Sequence, residues 1–227
     1  MKLVLFDCDG TIVDSQVMIV AAMTRAFLAH DLAPPPRDEI LSIVGLSLPI
    51  AIARLLAGHP DREPHALVDA YKEAFFELRQ SHDHHEPLFP GAREVIDELG
   101  ARDDLLLGIV TGKSRRGVDA ILALHGLADR FQVIRTADDA PSKPDPTMVL
   151  DAMAALGADP RLTLVVGDTT YDIEMAIAAG CRGVGVAWGY HRPAQLAAVG
   201  AEVVLSRFTD LPATVDALFA EEAKPNA

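Results

Sequence analysis

Short apolar runs rich in Val, Ile and Leu recur along the chain at residues 2–6, 105–110, 132–135, 162–166, 183–187 and 203–205, each bounded by turn residues. Runs of this kind read as buried strands of a parallel sheet, covered on both faces. Between them lie stretches of helical period at 92–99, 116–124, 147–156 and 172–179. This alternation predicts right-handed βαβ units and an α/β fold with a doubly wound parallel sheet.

One region breaks the alternation. From Asp14 to about Glu86 the pattern is helical throughout, punctuated by Pro34-Pro35-Pro36, by Gly45 and by residues 58–64, with no convincing strand. It reads as an all-helical insertion after the first strand. Residues 81–90 are polar and close on Pro87 and Pro90, as expected of a linker returning to the sheet. The expected division is an α/β core of residues 1–14 and 86–227 with a helical domain of residues 15–85. The last residues, 221–227, are expected to fray.

Length and composition fit this division: 227 residues, half of them apolar, suffice for one substantial core and a smaller module. A net charge of −13 repels polyanions, which argues against nucleic acid and anionic membrane as partners. Asp7 and Asp9 interrupt the opening apolar run before it reaches signal-peptide length, and no later run approaches the about 18 apolar residues of a membrane span. Cys8 and Cys181 form neither a C-x-x-C pair nor a disulfide framework. A cytoplasmic location is expected, and no oligomeric state is assigned.

In doubly wound sheets the reactive site lies outside the carboxyl ends of the strands. Asp7, Asp9 and Thr11 follow the first predicted strand, Thr111, Gly112 and Lys113 the second, and Asp168 and Asp172 the fourth, while Lys143 precedes the helix at Thr147. Carboxylates gathered on one rim repel one another unless a hard cation joins them, and oxygen ligands suit Mg²⁺. Asp7, Asp168 and the Asp9 carbonyl match the few protein ligands that Mg²⁺ takes, leaving Lys143 and the Thr111 hydroxyl to hold phosphate oxygens.

These residues carry a resemblance. Asp7-Cys8-Asp9-Gly10-Thr11, Thr111-Gly112, Lys143-Pro144 and Gly167-Asp168-Thr169 with Asp172 stand in the order of the four motifs of the haloacid dehalogenase superfamily, over almost the whole chain. The chain is most similar to the phosphatase branch with a helical cap, in particular to phosphoglycolate phosphatase-like members. The resemblance implies a Rossmann-like core, Mg²⁺, a small phosphorylated metabolite as substrate and an aspartyl-phosphate on Asp7. It makes Asp9 the acid that protonates the leaving alkoxide and then activates water. It also implies that Thr111 and Gly112 bind the phosphoryl group, that Lys143 stabilises Asp7 and phosphate, and that Asp168 is a metal ligand with Asp172 a ligand or its support. The acid at position 9 separates phosphatases from the related dehalogenases. A sugar phosphomutase like β-phosphoglucomutase and an inorganic pyrophosphatase share the same motifs and stand as alternatives.

Each signal also has a simpler reading. Asp9-Gly10 also suits a turn, and Thr169 with Asp172 also suits a helix cap. The Gly112-Lys113-Ser114 string lacks the earlier glycine of a P-loop, since Leu107 stands there, and Gly183-Val184-Gly185 meets Trp188 where a dinucleotide fingerprint needs its third glycine. Cys8, between two acids on an extended segment, faces the other way and reads as packing; neither cysteine is followed by the Arg of a cysteine phosphatase, Asp14 and Ala187 standing in its place. His82, His84 and His85 read as solvated linker residues. Arg54 and Lys72 are either surface charges or cap residues over the substrate. The Val44-Gly45-Leu46 turn either ends a helix or forms the family's substrate-specificity loop, which places Gly45 among the candidate substrate-binding residues.

Overall fold

The computed structural model describes residues 1–80 and 86–222. Strands β1 (Lys2–Phe6), β2 (Leu105–Val110), β3 (Val133–Arg135), β4 (Thr163–Gly167), β5 (Arg182–Val186) and β6 (Val203–Leu205) form one parallel sheet in the order β3-β2-β1-β4-β5-β6. The expected strands are all present, with ends shifted by one residue at β3, β4 and β5. Leu162, expected to open β4, instead ends a 3₁₀ turn whose first amide is held by the Asp159 side chain.

Within β1, Leu3 and Leu5 pack on one face of the sheet, and Val4 and Phe6 on the other. The second face is covered by α5 (Ala92–Gly100), α6 (Arg115–His125) and α10 (Leu211–Glu222), the first by α7 (Thr147–Leu156) and α8 (Thr170–Ala178). A short helix α9 (Pro193–Ala198) sits beside β5 and β6. Each fully buried Leu, Ile, Val or Phe contributes about 1.5–3 kcal/mol, so an uninterrupted apolar strand is the stable choice in the centre of such a sandwich.

Between β1 and α5 the chain forms α1 (Gln16–Ala29), α2 (Arg37–Ser42), α3 (Leu48–Leu55) and α4 (Pro64–Gln80), with no strand among the described residues of this segment. Met18, Ile19, Ala22, Met23, Ala26 and Phe27 recur at three- and four-residue steps along α1 and are its buried face. Ile19, Met23 and Phe27 join Ile40, Ile52 and Leu67 in one cluster, and Met18 and Ala22 pack on Ala74 and Leu78 of α4. The chain leaves and rejoins the core at one place: Val13 bridges Leu88, and the Asp14 amide donates to the Pro87 carbonyl at 2.8 Å.

The strand order reverses at β1, whose neighbours β2 and β4 begin the two halves that run to opposite edges of the sheet. Phe6 is in register with Ile109 on one side and Val166 on the other, so the residues that follow β1, β2 and β4 emerge together at the crevice where such sheets bind ligands.

Candidate active site

Asp7 is the first residue past β1, fixed by its amide donating to the Val166 carbonyl at 2.9 Å. The chain then turns through Gly10 at φ 84°, and a Cβ there would lie 2.3 Å from Asp168 Oδ2. Both the backbone conformation and the close approach therefore require glycine. This turn delivers Thr11, whose hydroxyl donates to Asp168 Oδ1 at 3.0 Å, while the Tyr190 amide donates to Oδ2 at 2.9 Å. Asp172, in the first turn of α8, accepts from the Thr169 amide at 3.0 Å and the Thr169 hydroxyl at 2.7 Å through Oδ2. The helix-cap reading of Asp172 thus holds, and its other oxygen is turned to the site.

That second oxygen accepts from Lys143 Nζ at 2.5 Å, and the same ammonium lies 2.8 Å from Asp7 Oδ1. Lys143, Asp7, Asp168 and Asp172 are all buried. Burial opposes the Lys143 charge, but Asp172 and Asp7 outweigh it and hold the ammonium above the ordinary lysine value. Burial pushes Asp7 up to about 6, against the pull of Lys143 and with a further push from Asp172. Asp168 is raised well above the carboxylate range by burial, then by Asp172 and Asp7.

Asp7, Asp168 and Asp172 each offer an oxygen within 4.8 Å of the others. Three buried carboxylates lie together, one ammonium contacts two of them, and neither Asp7 oxygen accepts a well-directed hydrogen bond among the described residues. An all-oxygen, electron-rich cluster with orphaned buried acceptors fits a hard divalent cation.

Asp9 is placed differently. Its carboxylate is not in that cluster; Oδ1 accepts from the Ser15 hydroxyl at 2.6 Å and from Lys113 Nζ at 2.9 Å, and Oδ2 lies 3.1 Å from the same ammonium. The Thr111 hydroxyl, also buried, accepts from the Lys113 amide at 3.2 Å. Cys8 packs with Val13 and Ile121, and burial, then Asp9, raise its thiol above the ordinary range, in keeping with a packing residue.

The helical segment lies directly on the rim. Gly45, at φ 98° in the turn between α2 and α3, approaches Thr169 and Gly112, and the Ser47 amide donates to Ser142 Oγ at 2.8 Å. Arg54 is exposed and donates to the Tyr171 hydroxyl at 2.9 Å, so it joins the helical segment to α8, whereas Lys72 is exposed on α4. His82, His84 and His85 lie outside the described residues. Sequence reasoning gave no role to Lys113, Ser15, Glu86 or Tyr190. Of these only Lys113 carried a signal, its adjacency to Thr111-Gly112, and that signal was spent on excluding a P-loop.

A parallel sheet of order 3-2-1-4-5-6 with an acidic cluster at its switch point defines a Rossmann-like α/β enzyme core. The chain belongs to the haloacid dehalogenase-like hydrolase family, whose family model matches residues 4–186. It is 36% identical to a probable phosphatase, IndB, of Dickeya dadantii over 98% of this chain and 97% of that protein. It is 34% identical to the pyrophosphatase PpaX of Bacillus pumilus, over 94% of this chain and 96% of that one. It is 31% identical to a phosphoglycolate phosphatase of Pectobacterium atrosepticum, over 91% and 88%. The chain is accordingly an enzyme of this family, a phosphatase with phosphoglycolate phosphatase-like relatives. No helix among its described residues is long and apolar enough to cross a membrane.

Proposed function

We propose that this chain is a Mg²⁺-dependent phosphomonoesterase of small phosphorylated metabolites, phosphoglycolate phosphatase-like, working through an aspartyl-phosphate on Asp7. The observation that carries the reading is Asp7 itself: a buried carboxylate at the strand tip, beside Lys143 at 2.8 Å, with both oxygens free of well-directed hydrogen bonds. A nucleophile must keep a lone pair unengaged, and a structural carboxylate in the same place would be expected to be fully bonded.

In the first step an Asp7 oxygen forms a bond to phosphorus as the ester P–O bond breaks, and Asp9 gives its proton to the departing alkoxide. In the second, Asp9 takes a proton from water, the water oxygen bonds phosphorus, and the Asp7–phosphorus bond breaks to release phosphate. Lys143 keeps Asp7 ionised and offsets charge on the phosphoryl oxygens; the Thr111 hydroxyl and the backbone around Gly112 orient that group. Mg²⁺, held by Asp7, Asp168 and the Asp9 carbonyl with Asp172 as ligand or support, supplies when bound the positive charge that offsets the carboxylates and phosphate.

Residues 15–85 serve as a cap over the core of residues 1–14 and 86–227, and the Gly45 turn against Gly112 is the place where it meets the phosphoryl site. A covered rim favours small metabolites over macromolecules, and two buried free cysteines suit the reducing cytoplasm. The pyrophosphatase relative supports a second reading, with pyrophosphate in place of the ester.

Phosphate release should be measured over a panel of small phosphate esters, hexose phosphates and pyrophosphate, with Mg²⁺ and with chelator. Fast, Mg²⁺-dependent hydrolysis of 2-phosphoglycolate supports the main reading. Preference for pyrophosphate replaces it with the second, and phosphate moved within a hexose without release would overturn both in favour of a mutase.

A further inference from the structure

Beyond the nucleophile and its cation site, the described residues hold a second ionic chain, of which the steps above use only Asp9. It runs Asp9, Lys113, Glu86, Arg79, alternating in sign. Lys113 Nζ contacts Asp9 Oδ1 at 2.9 Å, Asp9 Oδ2 at 3.1 Å and Glu86 Oε1 at 3.4 Å. Arg79 grips the other oxygen, Glu86 Oε2, through Nε at 2.8 Å and a terminal nitrogen at 2.5 Å. The Lys113 and Glu86 side chains are only 9% and 2% exposed, so solvent screens the contact between them little. The Phe75 ring of α4 lies 5.0 Å from the Lys113 ammonium and 5.1 Å from the Arg79 guanidinium, adding an attractive face to both cations.

The lysine stem is also built in. Gly117 of α6 stands where a Cβ would come within 2.9 Å of Lys113 Cγ, so the helix leaves a channel for the stem. Asp9 therefore has one rotamer chosen for it: Ser15 holds one oxygen and Lys113 both. The far end of the chain lies on the helical segment, because Arg79 is in the last turn of α4, while Glu86 directly precedes Pro87, where the chain rejoins the core.

We propose that Lys113 is a positioning residue for Asp9, and that Glu86 and Arg79 tie this position to the last helix of the insertion. The proposal rests on the reading of Asp9 as the proton-transfer group. Lys113 acts on the reaction by aiming that carboxylate, and the Arg79–Glu86 pair makes the aim depend on how the helical segment is seated.

The test is a crystal structure of Lys113→Met with Mg²⁺, together with steady-state rates of this variant, Glu86→Gln and Asp9→Asn on 2-phosphoglycolate and on p-nitrophenyl phosphate. In Lys113→Met the Asp9 side chain should leave its rotamer while Asp7 and Thr111 stay in place. Its kcat on the alkyl ester should fall about 10–100-fold, part of what a general acid supplies, with KM nearly unchanged and the aryl ester largely spared. Glu86→Gln should show the same split with a smaller loss, and carries the test, with Lys113→Arg as the conservative rescue, if thermal melts show Lys113→Met unfolded. An unmoved Asp9, or a raised KM at unchanged kcat, overturns the proposal. If Asp9 turns but Asp9→Asn slows both esters alike, the positioning stands and the proton-transfer reading of Asp9 falls.

Discussion

Gly112 and Gly45 meet backbone to backbone: a Cβ on Gly112 would lie 2.3 Å from the Gly45 carbonyl oxygen. The first belongs to the loop after β2 and the second to the turn between α2 and α3, so the helical segment touches the core at the loop proposed to bind phosphate. Backbone cannot retreat as a flexible side chain can. Gly112→Ala should therefore push the turn outward, raising KM several-fold while the core stays folded. Unchanged KM with an unshifted melting temperature would refute the contact.

Lys143 sits buried between Asp7 and Asp172, at 2.8 and 2.5 Å. Removing one member of a buried ion pair leaves an uncompensated charge, at a cost of about 3–5 kcal/mol. Lys143→Met should destabilise the metal-free protein by that order and abolish turnover. Chemical denaturation with and without Mg²⁺ measures the first effect, and a loss within about 1 kcal/mol would show the ammonium to be dispensable to the fold.

Asp7→Asn removes a buried charge but keeps the shape. Turnover should vanish, the metal-free melting temperature should hold or rise, and stabilisation by Mg²⁺ should weaken. Appreciable residual phosphatase activity would end the nucleophile assignment.

The pH dependence of the metal-free fold follows from the same group. Asp7 rises from 3.8 to about 6 on folding, through burial, against Lys143 and with help from Asp172. A raised carboxyl binds its proton more tightly when folded, so its stabilising contribution is full below about 3.8 and is lost as pH climbs through about 6. Melts of chelated protein should fall across that window, and Mg²⁺ should flatten the fall. A chelated protein that gains stability over the same window would contradict this electrostatic picture.

Much of the site was legible because the chemistry sits at strand ends. Strands apolar throughout announced a parallel sheet, and a parallel sheet places Asp7, Thr111 and Asp168 on one rim whatever the loops do. The helical period of residues 16–29 announced the insertion in the same way.

Partners far apart in sequence were another matter. Asp9 and Asp168 look equivalent in the chain, each just past a strand, yet Asp168 joins the cation cluster and the Asp9 side chain turns to Lys113. Local pattern fixes where a side chain starts but not which of several nearby charges it meets, since that depends on the turn at Gly10 and on the loop beyond β2. The sequence by itself determined the strands and their succession along the chain, the helical insertion and the residues brought to the rim, because periodicity and turn chemistry are local. Only the tertiary structure decided how the charges pair, that Glu86 and Arg79 extend the chain from Asp9 to α4, and that Gly45 closes on Gly112. Those contacts join segments tens of residues apart, and packing sets their distances.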